Sequence, residues 1–82
     1  MQPKVNDSKK AKRPLTLAQD IVRDIEAGAH VAGDRLARED EMLARYDVAR
    51  ATLREALRFL ELQGVIHLQL GRGGGPVVAR PQ

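Results

Sequence analysis

Arg50, Thr52 and Arg54 stand at alternate positions in the segment ARATLREALRFLELQG, and Arg58 follows one turn later. An arginine can present two donors at once to guanine O6 and N7, while threonine can reach a phosphate or a thymine methyl. If the segment is helical, Arg50, Arg54 and Arg58 align one turn apart along a single edge, beside an apolar stripe of Ala49, Leu53, Ala56, Leu57 and Leu60. Ala51, Arg54 and Glu55 then point roughly away from that stripe. The competing reading is a solvated arginine face paired within the helix to Glu55 or Glu61. A second candidate is the run Gly71, Arg72, Gly73, Gly74, Gly75. It leads into Pro76, Val77 and Val78, which is strand chemistry, whereas a nucleotide-binding glycine loop must open a helix. A hairpin tip with an arginine at its crest can instead lay backbone N–H groups and a guanidinium on phosphates or in a minor groove.

Other chemistry finds little support. The chain has no cysteine, its only serine is Ser8, and His30 and His67 are far apart, so no nucleophile and base share a suggestive spacing. The acids Glu39, Asp40 and Glu41 are consecutive and cannot share one helix face, so they read as dipole complements in a first turn rather than as metal ligands. No enzyme activity, cofactor or metal is expected. Tyr46 and Phe59 are the only aromatic residues and both read as core, which disfavours an RNA-stacking surface.

The elements that must carry these residues follow from periodicity. Residues 1–14 are polar, hold two prolines and show no hydrophobic period, so they read as a flexible basic arm. Five cations against Asp7 give the arm +4 of a total net charge of +3, so overall basicity alone says little about a partner. From Thr16, the residues Leu17, Ala18, Ile21, Val22 and Ile25 predict an amphipathic helix, with Thr16 and Gln19 at capping-box spacing and Gly28 as its stop. Gly33 and Asp34 mark a turn in a short extended connection. A short helix is expected over 39–46, its apolar face formed by Met42, Leu43 and Tyr46, broken by a tight turn at Asp47 and Val48. The strongest helix spans 49–63 and ends at Gly64. VIHLQL and PVVAR then form a two-stranded hairpin, with His67 facing solvent and Pro76 at an edge.

That order predicts a winged helix-turn-helix: a three-helix core with a small antiparallel β-hairpin wing, mainly α in content, over residues 15–80. With 82 residues the chain can build one modest core. No apolar run approaches the roughly 20 residues of a membrane span, and no signal peptide is evident, so a cytoplasmic protein is the default.

The segment LAREDEMLARYDVARATLREALRFLELQGVI, followed by GRGGGPVV, closely resembles the DNA-binding domain of the GntR family of bacterial transcription regulators, over about residues 15–79. VARATLREAL looks like the family's recognition helix, and the GRGGG tip resembles the FadR-like (FCD) subgroup. The resemblance implies a cytoplasmic, nucleoid-associated repressor-type domain. It would place helix 49–63 in the major groove of double-stranded DNA and rest the wing, 70–76, on the backbone or in the minor groove. It implies base contacts by Arg50 and Arg54, a backbone contact by Thr52, and a DNA-facing set completed by Arg38, Ala51, Gly71, Arg72 and Gly73. It also implies a homodimer on a short inverted-repeat operator, formed on the DNA or through a helical effector-binding domain that this chain lacks. The sequence departs from the family at three points. Arg38 and Asp40 stand where Ser and Arg are usual, Ala49 replaces a capping Ser or Thr, and Leu70 stands where some relatives carry a base-contacting histidine. A winged-helix protein-interaction module without DNA binding is the alternative. The helical apolar residues are expected to be committed to the core, leaving no spare stripe for an obligate dimer, so the free chain is expected to be largely monomeric.

Overall fold

A computed structural model describes residues 12–71 and 74–79. Three helices, α1 (Pro14–Ala27), α2 (Glu39–Tyr46) and α3 (Arg50–Leu62), precede the strands β1 (Ile66–Gln69) and β2 (Gly75–Val78). This is the winged helix-turn-helix order that the periodicity predicts.

α1 begins two residues before the expected Thr16. Pro14 takes the first helical turn and Arg13 is the N-cap, without a side-chain cap bond. Proline fits there because its φ is already helical and its missing N–H would have no partner in a first turn. Thr16 is therefore inside the helix, and its capping-box spacing with Gln19 is not used. Lys12 Nζ lies 2.7 Å from Asp20 Oδ2 and joins the chain ahead of the helix to its second turn. That hydrogen bond holds the Asp20 carboxyl below the usual carboxylate range. Of the basic segment read as an arm, residues 1–11 lie outside the described residues.

Gly28 caps α1, but with φ −84° it is not left-handed; Ala29 (φ 56°) takes that conformation instead. The glycine serves close approach. A Cβ at Gly28 would lie 3.0 Å from the His30 ring and 3.3 Å from the Asp24 carbonyl. The connection then turns at Gly33 (φ +93°), where the Asp34 carboxylate accepts the Val31 N–H at 2.9 Å.

The core lies between α1 and α3. Leu17, Ala18, Ile21 and Ile25 face Leu53, Ala56, Leu57 and Leu60, with Met42 entering from α2 and Ile66 from β1. Spacings of three and four put each set on one helical face, so burial of a single stripe per helix suffices to close the domain. Tyr46 is half-buried, and its hydroxyl donates to Asp24 Oδ2, tying α2 to α1. Burial, followed by this bond to a carboxylate, pushes the phenol up to about 12. Tyr46 is the only tyrosine and there is no tryptophan, so tyrosinate absorbance isolates it. The midpoint is expected near 12, against about 10 for a free phenol. Because the folded value is the higher one, the contribution of Tyr46 to stability is intact below pH 10 and is lost as pH rises toward 12. A midpoint at the free value would show that the Tyr46–Asp24 tie does not persist in solution.

β1 and β2 pair antiparallel in the register Ile66↔Val78 to Gln69↔Gly75. Beyond the expected hairpin, the extended connection also joins β2, through a bridge between Arg35 and Val77. Val78 N–H donates to the Asp34 carbonyl, and Leu36 N–H to the Pro76 carbonyl. β2 is thus flanked on both sides and Pro76 is not on a free edge. A strand residue's N and O face the same neighbour, so the N–H that Pro76 lacks costs a bond only to the short connection.

Candidate nucleic-acid interface

The turn between α2 and α3 sets the interface. Asp47 ends α2 in the left-handed conformation (φ 54°, ψ 55°), a region that Asp tolerates better than most residues. Two residues later Ala49, in extended conformation, is the N-cap of α3 and makes no side-chain cap bond. The cap that a serine would supply there, about 1 kcal/mol, is absent.

The exposed side of α3 carries the predicted residues. Arg50, Ala51 and Arg54 are exposed and Thr52 is half-buried. Arg54 Nε lies 2.8 Å from Glu39 Oε2 and its Nη2 lies 3.4 Å from Oε1, while Arg50 Nη1 is 3.5 Å from the same Oε2. The arginines are paired across the turn to the first residue of α2, and not within α3 to Glu55 or Glu61. The Arg54 hydrogen bond, reinforced by the charges of Arg54 and Arg50, holds the Glu39 carboxyl below its ordinary range. Sequence reasoning missed this role for Glu39. The visible signal was a carboxylate at the start of the helix preceding an arginine-bearing one.

The pairing leaves the reading edge of Arg54 free. A guanidinium has five N–H donors, and Glu39 engages the side made by Nε and one Nη2 hydrogen. The end-on pair of Nη1 and the other Nη2 hydrogen is the edge that can meet guanine O6 and N7. Glu39 can therefore hold Arg54 in place while Arg54 contacts a base.

The other acids of α2 serve its N-terminus. Asp40 Oδ1 accepts the Glu41 N–H at 2.9 Å, and Glu41 Oε1 accepts the N–H of Arg38, the N-cap residue, also at 2.9 Å. Half of a capping box is made this way; an arginine side chain has no acceptor with which to complete it. Arg38 is exposed, beside a first turn that carries three carboxylates, of which Glu39 is paired to Arg50 and Arg54. That crowding makes the helix end a poor phosphate seat, and any phosphate contact there must come from the Arg38 guanidinium itself.

α3 and the wing bound a groove of about 460 Å³ whose lining includes Arg54 and Arg58, the carboxylates Glu39 and Glu61, and Leu57 and Gln69. At the wing tip the Gly74 N–H donates to the Gly71 carbonyl at 3.0 Å. Gly71 has φ +91°, and a Cβ on Gly74 would sit 2.2 Å from the Gln69 carbonyl oxygen, so both glycines are sterically required. Leu70 is almost wholly exposed, and the outward His67 is exposed too. Arg72 and Gly73, expected at the crest, lie outside the described residues. The structure thus brings Arg50, Ala51 and Arg54 to one surface, sets Thr52 half-buried at its margin, and leaves Arg38 at the N-cap of α2, next to the Glu39 that pairs with Arg54, and Gly71 on the wing.

Comparison with known proteins agrees with this architecture. The model of the bacterial regulatory proteins of the gntR family matches residues 15–75. The chain is 38% identical over 69 residues to the HTH-type transcriptional regulator TreR of Bacillus subtilis (strain 168), covering 84% of this chain and 28% of TreR. It superposes on YydK from Bacillus subtilis with a TM-score of 0.73 at 28% identity, over 84% of this chain and 29% of that one. The structure of mutant ORR3 in complex with the NTD of AraR gives a TM-score of 0.69 at 28% identity, over 83% of this chain and 94% of that one. This chain spans little more than a quarter of the length of TreR. A winged helix with these helices, this turn and this hairpin, matched over most of its length, belongs to the GntR family of bacterial regulatory proteins.

Proposed function

We propose that this chain binds double-stranded DNA sequence-specifically, as the DNA-reading part of a bacterial transcription regulator. The observation that carries the reading is the pair of exposed arginines in the first two turns of α3, one of them braced by Glu39 with its guanine-reading edge free. A recognition helix presents its N-terminal residues to base edges in the major groove, and Arg50 and Arg54 occupy those positions. Thr52 serves the flanking backbone, and Ala51, small and exposed, lets the helix approach the bases closely. On the wing, Gly71, Arg72 and Gly73 rest on an adjacent backbone or minor groove. Arg38 supplies a phosphate contact from α2.

The GRGGG tip supports placement in the FadR-like (FCD) subgroup. In such a regulator an effector-binding and dimerisation domain accompanies the reading domain, and two copies meet on a short inverted repeat in the cytoplasm, at the nucleoid. Repression requires no more than occupancy of a site, and is the direction assigned here. No helix among the described residues is long and apolar enough to cross a membrane.

The test is a titration of a random duplex across salt concentrations. Binding should weaken with salt along a log–log line of slope about −0.9 per phosphate neutralised, and Arg72→Ala should reduce the magnitude of that slope by about 1. A flat salt response would favour a protein-interaction module. Glu39 adds a further expectation. Glu39→Gln removes the charge that offsets two arginines, so random-duplex affinity should rise. The gain is up to about fivefold, equivalent to the ~0.2–1 kcal/mol of an exposed ion pair. Discrimination between preferred and random duplex should fall, because Arg54 is less firmly oriented. Unchanged discrimination would remove the bracing role.

A further inference from the structure

Contrary to the expectation that every helical apolar residue is committed to the core, Leu15 and Leu62 are 51% and 81% exposed. They line one surface groove of about 520 Å³, between the first turn of α1 and the outer side of α3, with the half-buried Phe59 as part of its wall. Arg13, Arg58 and Glu55 border the same groove. Residues 55, 58, 59 and 62 recur at three and four, so they form a second stripe on α3, beside the core stripe of Leu53, Ala56, Leu57 and Leu60.

We propose that this groove is the contact through which two copies of the chain cooperate on DNA, an inference that rests on the DNA-binding function proposed above. The patch is suited to pairing with itself. A two-fold interface must be self-complementary, and an apolar centre bordered by both charge signs lets Glu55 of one copy face Arg13 or Arg58 of the other. Its size decides when pairing occurs. A stable interface buries about 800 Å² per partner, and a groove built on two leucines and the edge of one phenylalanine offers much less. The contact is therefore too small to hold a dimer of free chains. It becomes effective when DNA holds two copies side by side, because the second association is then intramolecular. Leu62 is also placed for it. At 1.5 Å per residue it lies about 18 Å along α3 from Arg50, beyond the turns that carry the base-reading residues.

The experiment uses the full chain and two duplexes: a site enriched from a random pool by this chain, and the same site reduced to a single half. Wild type should be monomeric by sedimentation at tens of micromolar and bind the two-half duplex with cooperativity of about tenfold or more, within the usual range of coupling between sites. Leu62→Gln and Leu15→Gln should each bring cooperativity to within about twofold of independent binding, leaving half-site affinity unchanged, and Leu62→Met should retain cooperativity. Intact cooperativity in both glutamine variants would overturn the proposal, as would non-cooperative binding by wild type. An equal loss of half-site affinity would assign the groove to DNA. Cooperativity that increases when residues 1–11 are deleted would assign it to the chain's own N-terminal segment. Failure of wild type to bind either duplex would remove the DNA-binding function, and the proposal with it.

Discussion

Arg50→Ala and Arg54→Ala are each expected to weaken binding to the preferred duplex by about 1–3 kcal/mol, and binding to random duplex much less, because bidentate base contacts carry discrimination. Both side chains are exposed, at 56% and 66%, and neither holds the core together, so the folded state should survive either change. The two losses should not simply add. Both guanidinium groups share the Glu39 carboxylate, and removing one leaves it to the other, which is the condition for coupling between mutations. Parallel titrations on preferred and random duplex check this. Equal losses on the two would reduce both arginines to general counter-charges.

Leu53→Ala should have the largest effect on stability. Leu53 is fully buried in the core facing α1. Truncation removes transfer energy and leaves a cavity, together costing about 2–5 kcal/mol. At the usual ~0.05–0.15 kcal/mol per residue, a chain this small has only about 4–12 kcal/mol in all, so the loss is a large share of it. The melting midpoint should fall by about 10 °C or more, on the scale of ~4–8 °C per kcal/mol for domains of this length. Leu62→Ala is the control. At 81% exposure it should shift the midpoint little, since surface substitutions usually stay within about 0.5 kcal/mol. Similar shifts for both variants would contradict the burial pattern on which the fold rests.

The parts of this fold visible in the sequence are those that obey a period. α2 occupies the expected 39–46, and α3 lies within 49–63 with Ala49 and Gln63 as its caps, because stripes at three and four, bounded by Asp47 and Gly64, leave little freedom. The start of α1 was misplaced because Thr16 and Gln19 imitate a cap, while Pro14 is tolerated in a first turn. The bridge from Arg35 to Val77 involves one residue pair, too short to show any alternation. The Glu39–Arg54 contact joins residues fifteen apart across a turn, and its existence depends on the helix crossing set by a left-handed Asp47, which composition does not encode. The groove at Leu15 and Leu62 was hidden for a related reason. A helical stripe identifies a buried face, but whether a flanking apolar residue is also covered depends on where the neighbouring helix ends.

If α3 reads duplex sequence through Arg50 and Arg54, the preferred motif must depend on those two side chains. Enrichment of bound duplexes from a random-sequence pool, carried out in parallel with wild type and an Arg50→Ala, Arg54→Ala double variant shown to be folded, tests it most directly. Wild type should enrich one short motif with guanines at fixed positions, and the double variant should bind DNA without enriching it. Recovery of the same motif by the double variant, or of no motif by wild type, would contradict that dependence.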